Sequence, residues 1–544
     1  MNLREKLYYK VLPLFFAFFF GMMLFGVVFR PGIRDGWMPL HITSLLGALF
    51  YAIGILLIWT LIIKRIEAKK FTKRVEKRFL MIFFAILIIG QGLFLSQINL
   101  PMNAQCIITP QTKLCTWDWN YIAQGAANAV TGDQSGEAGW SNTVSYLHVH
   151  QNNIPSFYLL KTAFQAASTI GITNFQLVGT VINLVAINLS LLFIYLVARR
   201  LFGTKKAVFS LVVSAAILPM VFIYAPIFYT DTLSLPFPIA VIYLYLIYRD
   251  AKDKRKAFWL IPAIALLVFV GSMIKFSVMI ILVAIIIDMV IHTRKATIKR
   301  TALSLAAIVA VIAPMMLLYS HLAQAHVHDR AETKLITTPW THYFMMGLGK
   351  NNVGQYSVDD DIATTTMPSV EAAVHYNIDE IKKRLADYGW TYPYFLYVKA
   401  LNTWAEGTHE SIYRIGNMNL QTKDYRPTAF QKFITSADAT KPISLVSFMY
   451  AINVLLLIGL FVSGIKTYAD SIKKKKIRGR ALLQLSVMGV AIFLLFWETN
   501  PRYLINFMPL VALIATPILY KLAPLVMRRL KTSYLYVRLK TLKY

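Results

Sequence analysis

Three charged side chains, Asp231, Lys275 and Arg502, stand where apolar stretches end, and a fourth, Asp118, stands in a long segment between two such stretches. Asp118 lies in Trp117-Asp118-Trp119-Asn120-Tyr121, ahead of a helix-compatible stretch at 119–130. A carboxylate there suits a general base that takes the proton of an attacking hydroxyl, with indoles on both sides seated between lipid and water. The same position suits a plain helix N-cap. Asp231, in Tyr229-Thr230-Asp231-Thr232, reads as a cap or as a group that orients a sugar, a metal or a partner cation. Lys275 falls between two apolar runs, where a lysine snorkels or meets an anionic lipid phosphate. Arg502, in Glu498-Thr499-Asn500-Pro501-Arg502-Tyr503, offers a planar fork of donors suited to phosphate. Four such charges on one face exceed what anchoring needs, so their convergence predicts an active site.

Between Asp118 and Asp231 runs a polar segment with Tyr146, His148, His150, Gln151, Asn152 and Asn153. His148 and His150, two apart, share one side of an extended segment, either as metal ligands or as solvated loop histidines. His321, His326, His328 and Asp329, and the run Asp359-Asp360-Asp361, read on the same two terms, so a divalent metal is left open. Cys106 and Cys115 are the only cysteines, fitting either a disulfide closing a short loop or two free thiols. No GxGxxG, P-loop, HExxH or four-cysteine zinc pattern occurs, which argues against an ATP-driven pump.

The elements that must hold these residues are membrane spans. The chain is 57% hydrophobic over 544 residues, with a mean hydropathy of +0.54. A soluble chain of that length needs far more polar surface. Runs able to cross a core of ~30 Å lie near 11–29, 42–63, 79–97, 174–198, 207–228, 231–248, 257–272, 275–292, 302–320, 445–465, 481–497 and 503–520. These predict an all-α polytopic membrane protein with about 12 transmembrane helices. The net charge is +30, yet 38 of the 56 Lys and Arg residues fall in the short segments that face inward when the N-terminus is cytoplasmic. The basic excess is thus a topology signal, not a nucleic-acid surface. It places both termini in the cytoplasm and the four charged residues on the outer side of a cell membrane.

Three parts follow. Residues 1–320 read as a transmembrane catalytic module with a long outer loop at 98–173. Residues 321–443 read as a small extracytoplasmic domain, and 444–544 as C-terminal transmembrane helices with a basic cytoplasmic tail. In the middle part, 378–388 and 394–405 are helix-compatible. Trp340, Tyr343, Tyr356, Trp390, Tyr392, Tyr394 and Trp404 suit either the core of that domain or stacking on sugar rings.

The pattern resembles the GT-C superfamily of polyprenyl-phosphate-sugar glycosyltransferases, in particular the protein O-mannosyltransferase-like group of Gram-positive bacteria. Four pieces carry the resemblance. They are Asp118 with two helix-compatible stretches after it, Tyr229-Thr230-Asp231, Met346-Gly347-Leu348 leading to Gly354-Gln355-Tyr356-Ser357, and the late Glu498–Tyr503 stretch. The adjacent acidic pair usual in the first loop of that family is missing, since Asp118 has tryptophan on both sides. The resemblance implies a GT-C-like fold and an inverting transfer of one sugar from a polyprenyl-phosphate donor to an acceptor hydroxyl of a cell-envelope polymer, glycolipid or protein. Asp118 would be the base. Lys275, Arg502 and Tyr503 would hold the lipid phosphate. Asp231, Tyr229, His148, His150, Asn152, Glu498 and Asn500 would contact donor or acceptor. A polysaccharide polymerase or ligase, a lipid-linked sugar flippase or transporter, and a non-catalytic membrane scaffold are the other classes compatible with such spans and loops.

Overall fold

A computed structural model describes residues 3–29, 42–97, 106–108, 113–115, 118–134, 139–411, 414, 428–435, 443–475 and 477–541. One two-stranded antiparallel hairpin, Cys106–Ile108 with Lys113–Cys115, sets Cys106 opposite Cys115; the rest of the described secondary structure is helical. Trp117, expected beside the site, lies outside the described residues.

Nine helical stretches among the described residues are long and apolar enough to cross a membrane. They are Leu3–Val27, Leu45–Ala68, Lys73–Ser96, Phe175–Phe202, Thr230–Asp250, Lys295–Arg330, Leu445–Ile472, Arg478–Phe496 and Pro501–Thr532. The protein is therefore an integral membrane protein with an all-helical bundle. The expected spans at 257–272 and 275–292 form two shorter apolar helices, Leu260–Ile274 and Phe276–Ile291, broken apart at Lys275.

The expected span at 207–228 is not a single helix. Thr204–Ala215 is helical, and the chain then passes through a π-turn, Pro219–Ile223, into irregular backbone. Pro219 and Pro226 lack the N–H groups a continuous helix needs there. Carbonyls freed in an apolar setting must find donors, and neighbouring helices supply them. Asn183 Nδ2 donates to the carbonyls of Tyr224, Ala225 and Ile227 at 2.9, 2.9 and 3.3 Å. Gln91 serves Val221 at 3.1 Å, and Gln176 serves Pro226 at 3.2 Å. This break leads the chain into Tyr229 and Asp231. By contrast, Pro236 opens the Pro236–Asp250 helix at its first turn, where a missing N–H is harmless.

The core is one continuous apolar cluster running through the bundle. The Lys73–Ser96 helix buries little; Ile82, Ile86, Ile89 and Leu93 are exposed, as a helix facing lipid requires. Asp288 lies within that apolar interior. It is fully buried and accepts from Tyr8 (2.7 Å), Tyr245 (2.6 Å) and Arg478 Nη2 (2.6 Å), which together satisfy it.

Residues 340–404 fold over one end of the bundle. Their helices are Trp340–Met346, Val358–Thr365, Val370–Tyr388 and Tyr392–Trp404, and all but the second share a small cluster of Leu348, Tyr388 and Phe395 with Phe344, Ile381, Tyr392 and Leu396 around it. Trp390 (91% exposed) and Tyr394 lie outside that cluster, whereas Trp404 is buried against Phe20 of the bundle.

Candidate active site

Two carboxylates organise one end of the bundle. Asp231 opens a single helical turn, Thr230–Leu233, and is fully buried. Its carboxylate does not cap that turn. Oδ1 pairs with Lys275 Nζ, and Oδ2 lies 3.1 Å from Arg502 Nη1. Lys275 reaches inward because it occupies the extended break between its two short helices, with φ −149° and ψ 112°. Arg502 sits in the 3₁₀ turn Pro501–Phe507, which Asn500 caps by accepting the Arg502 backbone N–H at 2.9 Å.

Aromatic faces complete the cationic pair. Lys275 Nζ is 4.7 Å from the Tyr503 ring centroid. The Arg502 guanidinium is 5.2 Å from Tyr503 and 5.3 Å from Tyr229. Rings at these distances attract a cation with their electron-rich faces. Glu410 adds a second carboxylate, 3.8 Å from Arg502 Nε and 2.9 Å from Arg414 Nη2, and also accepts from Asn500 Nδ2. It is held there by two consecutive non-glycine residues at positive φ, His409 (52°) and Glu410 (57°). Such backbone is costly and persists where surroundings enforce it. Here Tyr224 donates to the His409 carbonyl at 2.7 Å, and the Glu406 side chain accepts from the His409 N–H.

Asp118 starts the Asp118–Thr131 helix, and its described bonds go elsewhere than to that helix. Tyr146 donates to Oδ1 at 2.7 Å and Tyr229 to Oδ2 at 2.9 Å. Tyr146 is itself fixed by Asn153 Nδ2 at 2.7 Å and by parallel stacking on Tyr121, with ring centroids 4.3 Å apart. Burial pushes the Asp118 carboxyl up, but His150, Arg502 and the two hydroxyls outweigh it and hold the group below the ordinary carboxylate range. Tyr229 joins the two centres: its hydroxyl is on Asp118 and its ring faces Arg502.

Glu498 accepts from Tyr503 at 2.9 Å, and its N–H donates to the Tyr343 carbonyl at 2.8 Å. Burial pushes its carboxyl up to about 7. The turn that carries it is pinned by Lys399. That fully buried lysine donates to the carbonyls of Gly347 (2.5 Å), Trp497 (2.7 Å) and Leu495 (3.1 Å).

The structure thus gathers Asp118, Tyr229, Asp231, Lys275, Glu498, Asn500, Arg502 and Tyr503. His150 borders them, its ring 4.8 Å from that of Tyr146. Asn152 lies at the rim, accepting from Tyr343 at 3.4 Å. His148 is not among them: its Nδ1 faces His328 Nδ1 at 3.0 Å. The candidate metal clusters are also not assembled. Asp360 pairs with Arg384 at 2.6 Å, Asp361 accepts from Tyr356 at 3.2 Å, Asp329 accepts from Gln324 at 2.6 Å, and His326 faces its own helix. Among the described residues, no three His, Cys, Asp or Glu side chains converge as a metal-holding group. Sequence reasoning missed Glu410 and Lys399, which carry no motif. It met Tyr146 without a role, though Tyr146 and Asn153 stand in one polar run.

Fold and site define a polytopic integral membrane protein with a buried cationic pair beside a two-tyrosine carboxylate. A family model described as a conserved hypothetical integral membrane protein matches residues 5–522, and the chain belongs to that family. No curated protein matches it. Among solved structures it is similar to ArnT from Cupriavidus metallidurans bound to undecaprenyl phosphate, at 12% identity over 80% of this chain and 76% of that one, with a TM-score of 0.31. The apo state of ArnT gives 12% identity over 80% and 78%, with a TM-score of 0.30.

Proposed function

We propose that the protein is an inverting membrane glycosyltransferase. It moves one sugar from a polyprenyl-phosphate donor to an acceptor hydroxyl on the outer face of the cell membrane. One observation carries this reading: a carboxylate that accepts from two tyrosine hydroxyls stands within electrostatic reach of Arg502, one member of a buried Lys–Arg pair.

The chemistry needs those two centres. Asp118 accepts the proton of the acceptor hydroxyl as its oxygen attacks the anomeric carbon. The bond from that carbon to the phosphate oxygen breaks, and the lipid phosphate leaves with the electron pair. Charge develops on the phosphate, where Lys275 and Arg502 supply fixed positive charge. Asp231 holds both cations in place, and Tyr503 and Tyr229 give them apolar-sided contacts. The GT-C resemblance of the four motifs points the same way. The sugar is not specified by these contacts, so mannose is one candidate among several.

The test is a transfer assay with purified protein in lipid, offering polyprenyl-phosphate mannose, glucose, galactose and N-acetylglucosamine to wild type and Asp118→Asn. Free polyprenyl phosphate released by wild type and not by the variant is the expected result. Release from no donor by a folded wild-type protein would reject the reading.

A further inference from the structure

Beside Asp118 stands a second carboxylate with an unmet hydrogen-bonding need. Asp361 lies in the Val358–Thr365 helix, far from Asp118 in sequence. Asp118 and His150 are both within electrostatic reach of it; burial first, and then the Asp118 charge, push its carboxyl up. Its Oδ2 accepts from the hydroxyl of Tyr356 at 3.2 Å. Its Oδ1 is buried and accepts no hydrogen bond from the described residues.

His342 Nε2, 3.7 Å from that oxygen, cannot help. His342 is 1% exposed, and burial takes its pKa down to about 4, so the ring is neutral. Thr364 donates its hydroxyl proton to Asn377 Oδ1 at 3.0 Å, so at the 2.9 Å contact between His342 Nδ1 and Thr364 Oγ1 the ring nitrogen is the donor. The other ring nitrogen then carries a lone pair. Two buried acceptors face each other across a gap that asks for a donor. Tyr356, on the same carboxylate, is 53% exposed.

We propose that Asp361, His342 and Tyr356 form an acceptor subsite that takes a second hydroxyl of a sugar-ring acceptor, while Asp118 takes the proton of the attacking one. This rests on the transferase reading and names its acceptor class. A polyol carries a second O–H close to the nucleophilic oxygen, and that one proton can be donated to Asp361 Oδ1 or to His342 Nε2. A serine or threonine side chain has one hydroxyl only. The exposed Tyr356 ring gives a sugar its flat apolar face.

Binding is measured without donor, so the subsite and the transfer reading fail separately. Methyl α-mannoside, methyl β-galactoside, methyl N-acetyl-β-glucosaminide and an acetylated Ser/Thr hexapeptide are titrated onto the protein in lipid nanodiscs, read by saturation-transfer NMR. The wild type is expected to bind at least one glycoside. Asp361→Asn and Tyr356→Ala are expected to weaken that binding by about tenfold or more, with Asp379→Ala, on an exposed helix face, unchanged. In assays with a working donor, Asp361→Asn is expected to raise the acceptor KM and leave the donor KM alone. Glycoside binding unmoved by Asp361→Asn, binding only of the peptide, or binding of no probe would each overturn the proposal. Glycoside binding through Asp361 without turnover of any lipid donor would leave the subsite standing and reject the transfer reading.

Discussion

Asp231 and Arg502 face each other at 3.1 Å although 271 residues separate them in the chain. Neither is solvated, and Asp231 also holds Lys275. Two cations on one buried carboxylate make a unit whose parts cannot be removed singly without leaving an unpaired charge. Asp231→Asn is expected to destabilise the protein by about 3–5 kcal/mol, seen as a lower midpoint of thermal unfolding in detergent. Arg502→Met should behave similarly. The double variant should lose less than the sum of the two, with a coupling above ~1 kcal/mol. Strict additivity would show that the pair is not energetically linked.

The tyrosines on Asp118 yield a pH prediction. Their hydroxyls favour the ionised carboxylate, so removing either raises its pKa. For Tyr146→Phe and Tyr229→Phe, the acid limb of kcat/KM for sugar transfer is expected to move to higher pH. Asp118→Asn should lower kcat by ~10²–10⁴ at pH above the acid limb and remove that limb. A limb that stays put in both tyrosine variants would mean that another group sets it.

The sequence carried the charged centres better than the frame around them. Asp231, Lys275 and Arg502 were legible because a charge at the end of an apolar run needs a reason, and Asp118 because it stands between two tryptophans ahead of a helix-compatible stretch. Glu410 was not, and Asp361 was read only within the Asp359-Asp360-Asp361 run as a possible cation site, because each lies in a polar segment where acids are ordinary. Only the fold brings Glu410 to Arg502 and Asp361 to the neighbourhood of Asp118. The break at 207–228 escaped because hydropathy does not record which carbonyls lack an N–H partner. Pro219 and Pro226 were visible, but the rescue by Asn183 depends on a helix packed alongside.

Glu498 makes stability depend on pH near neutrality. Its carboxyl is raised to about 7 in the folded chain, against an ordinary value of 4.5. Between those values the folded state holds a proton that the unfolded state releases. Stability is therefore greatest below about 4.5 and falls as pH rises through about 7, by roughly 3 kcal/mol for this group. Glu406 is raised to about 7 by burial and contributes in the same direction. Glu498→Gln keeps an acceptor for Tyr503 but cannot titrate. Unfolding midpoints measured from pH 5 to 8 should fall less steeply in the variant. An unchanged slope would place the titration elsewhere.

Gly354 tests how the turn carrying Glu498 is held. It has φ +74°, its carbonyl accepts the Thr499 N–H at 2.8 Å, and a Cβ there would lie 2.6 Å from the Gly347 carbonyl oxygen and 2.7 Å from Lys399 Cε. Both neighbours are fixed, since Lys399 Nζ donates to that same Gly347 carbonyl. Gly389 also has positive φ (47°), but a Cβ there meets nothing within 4 Å. The two glycines separate backbone strain from crowding. Gly389→Ala is expected to cost about 1–3 kcal/mol from its backbone conformation alone, φ 47° with ψ −129°. Gly354→Ala should cost more, about 2–4 kcal/mol, because Lys399 and the 497–499 turn must shift as well. It should also lower the rate of sugar transfer, since Thr499 and Glu498 move with the turn, whereas Gly389→Ala should leave the rate unchanged. Equal thermal destabilisation of the two variants would show that Lys399 does not brace the site.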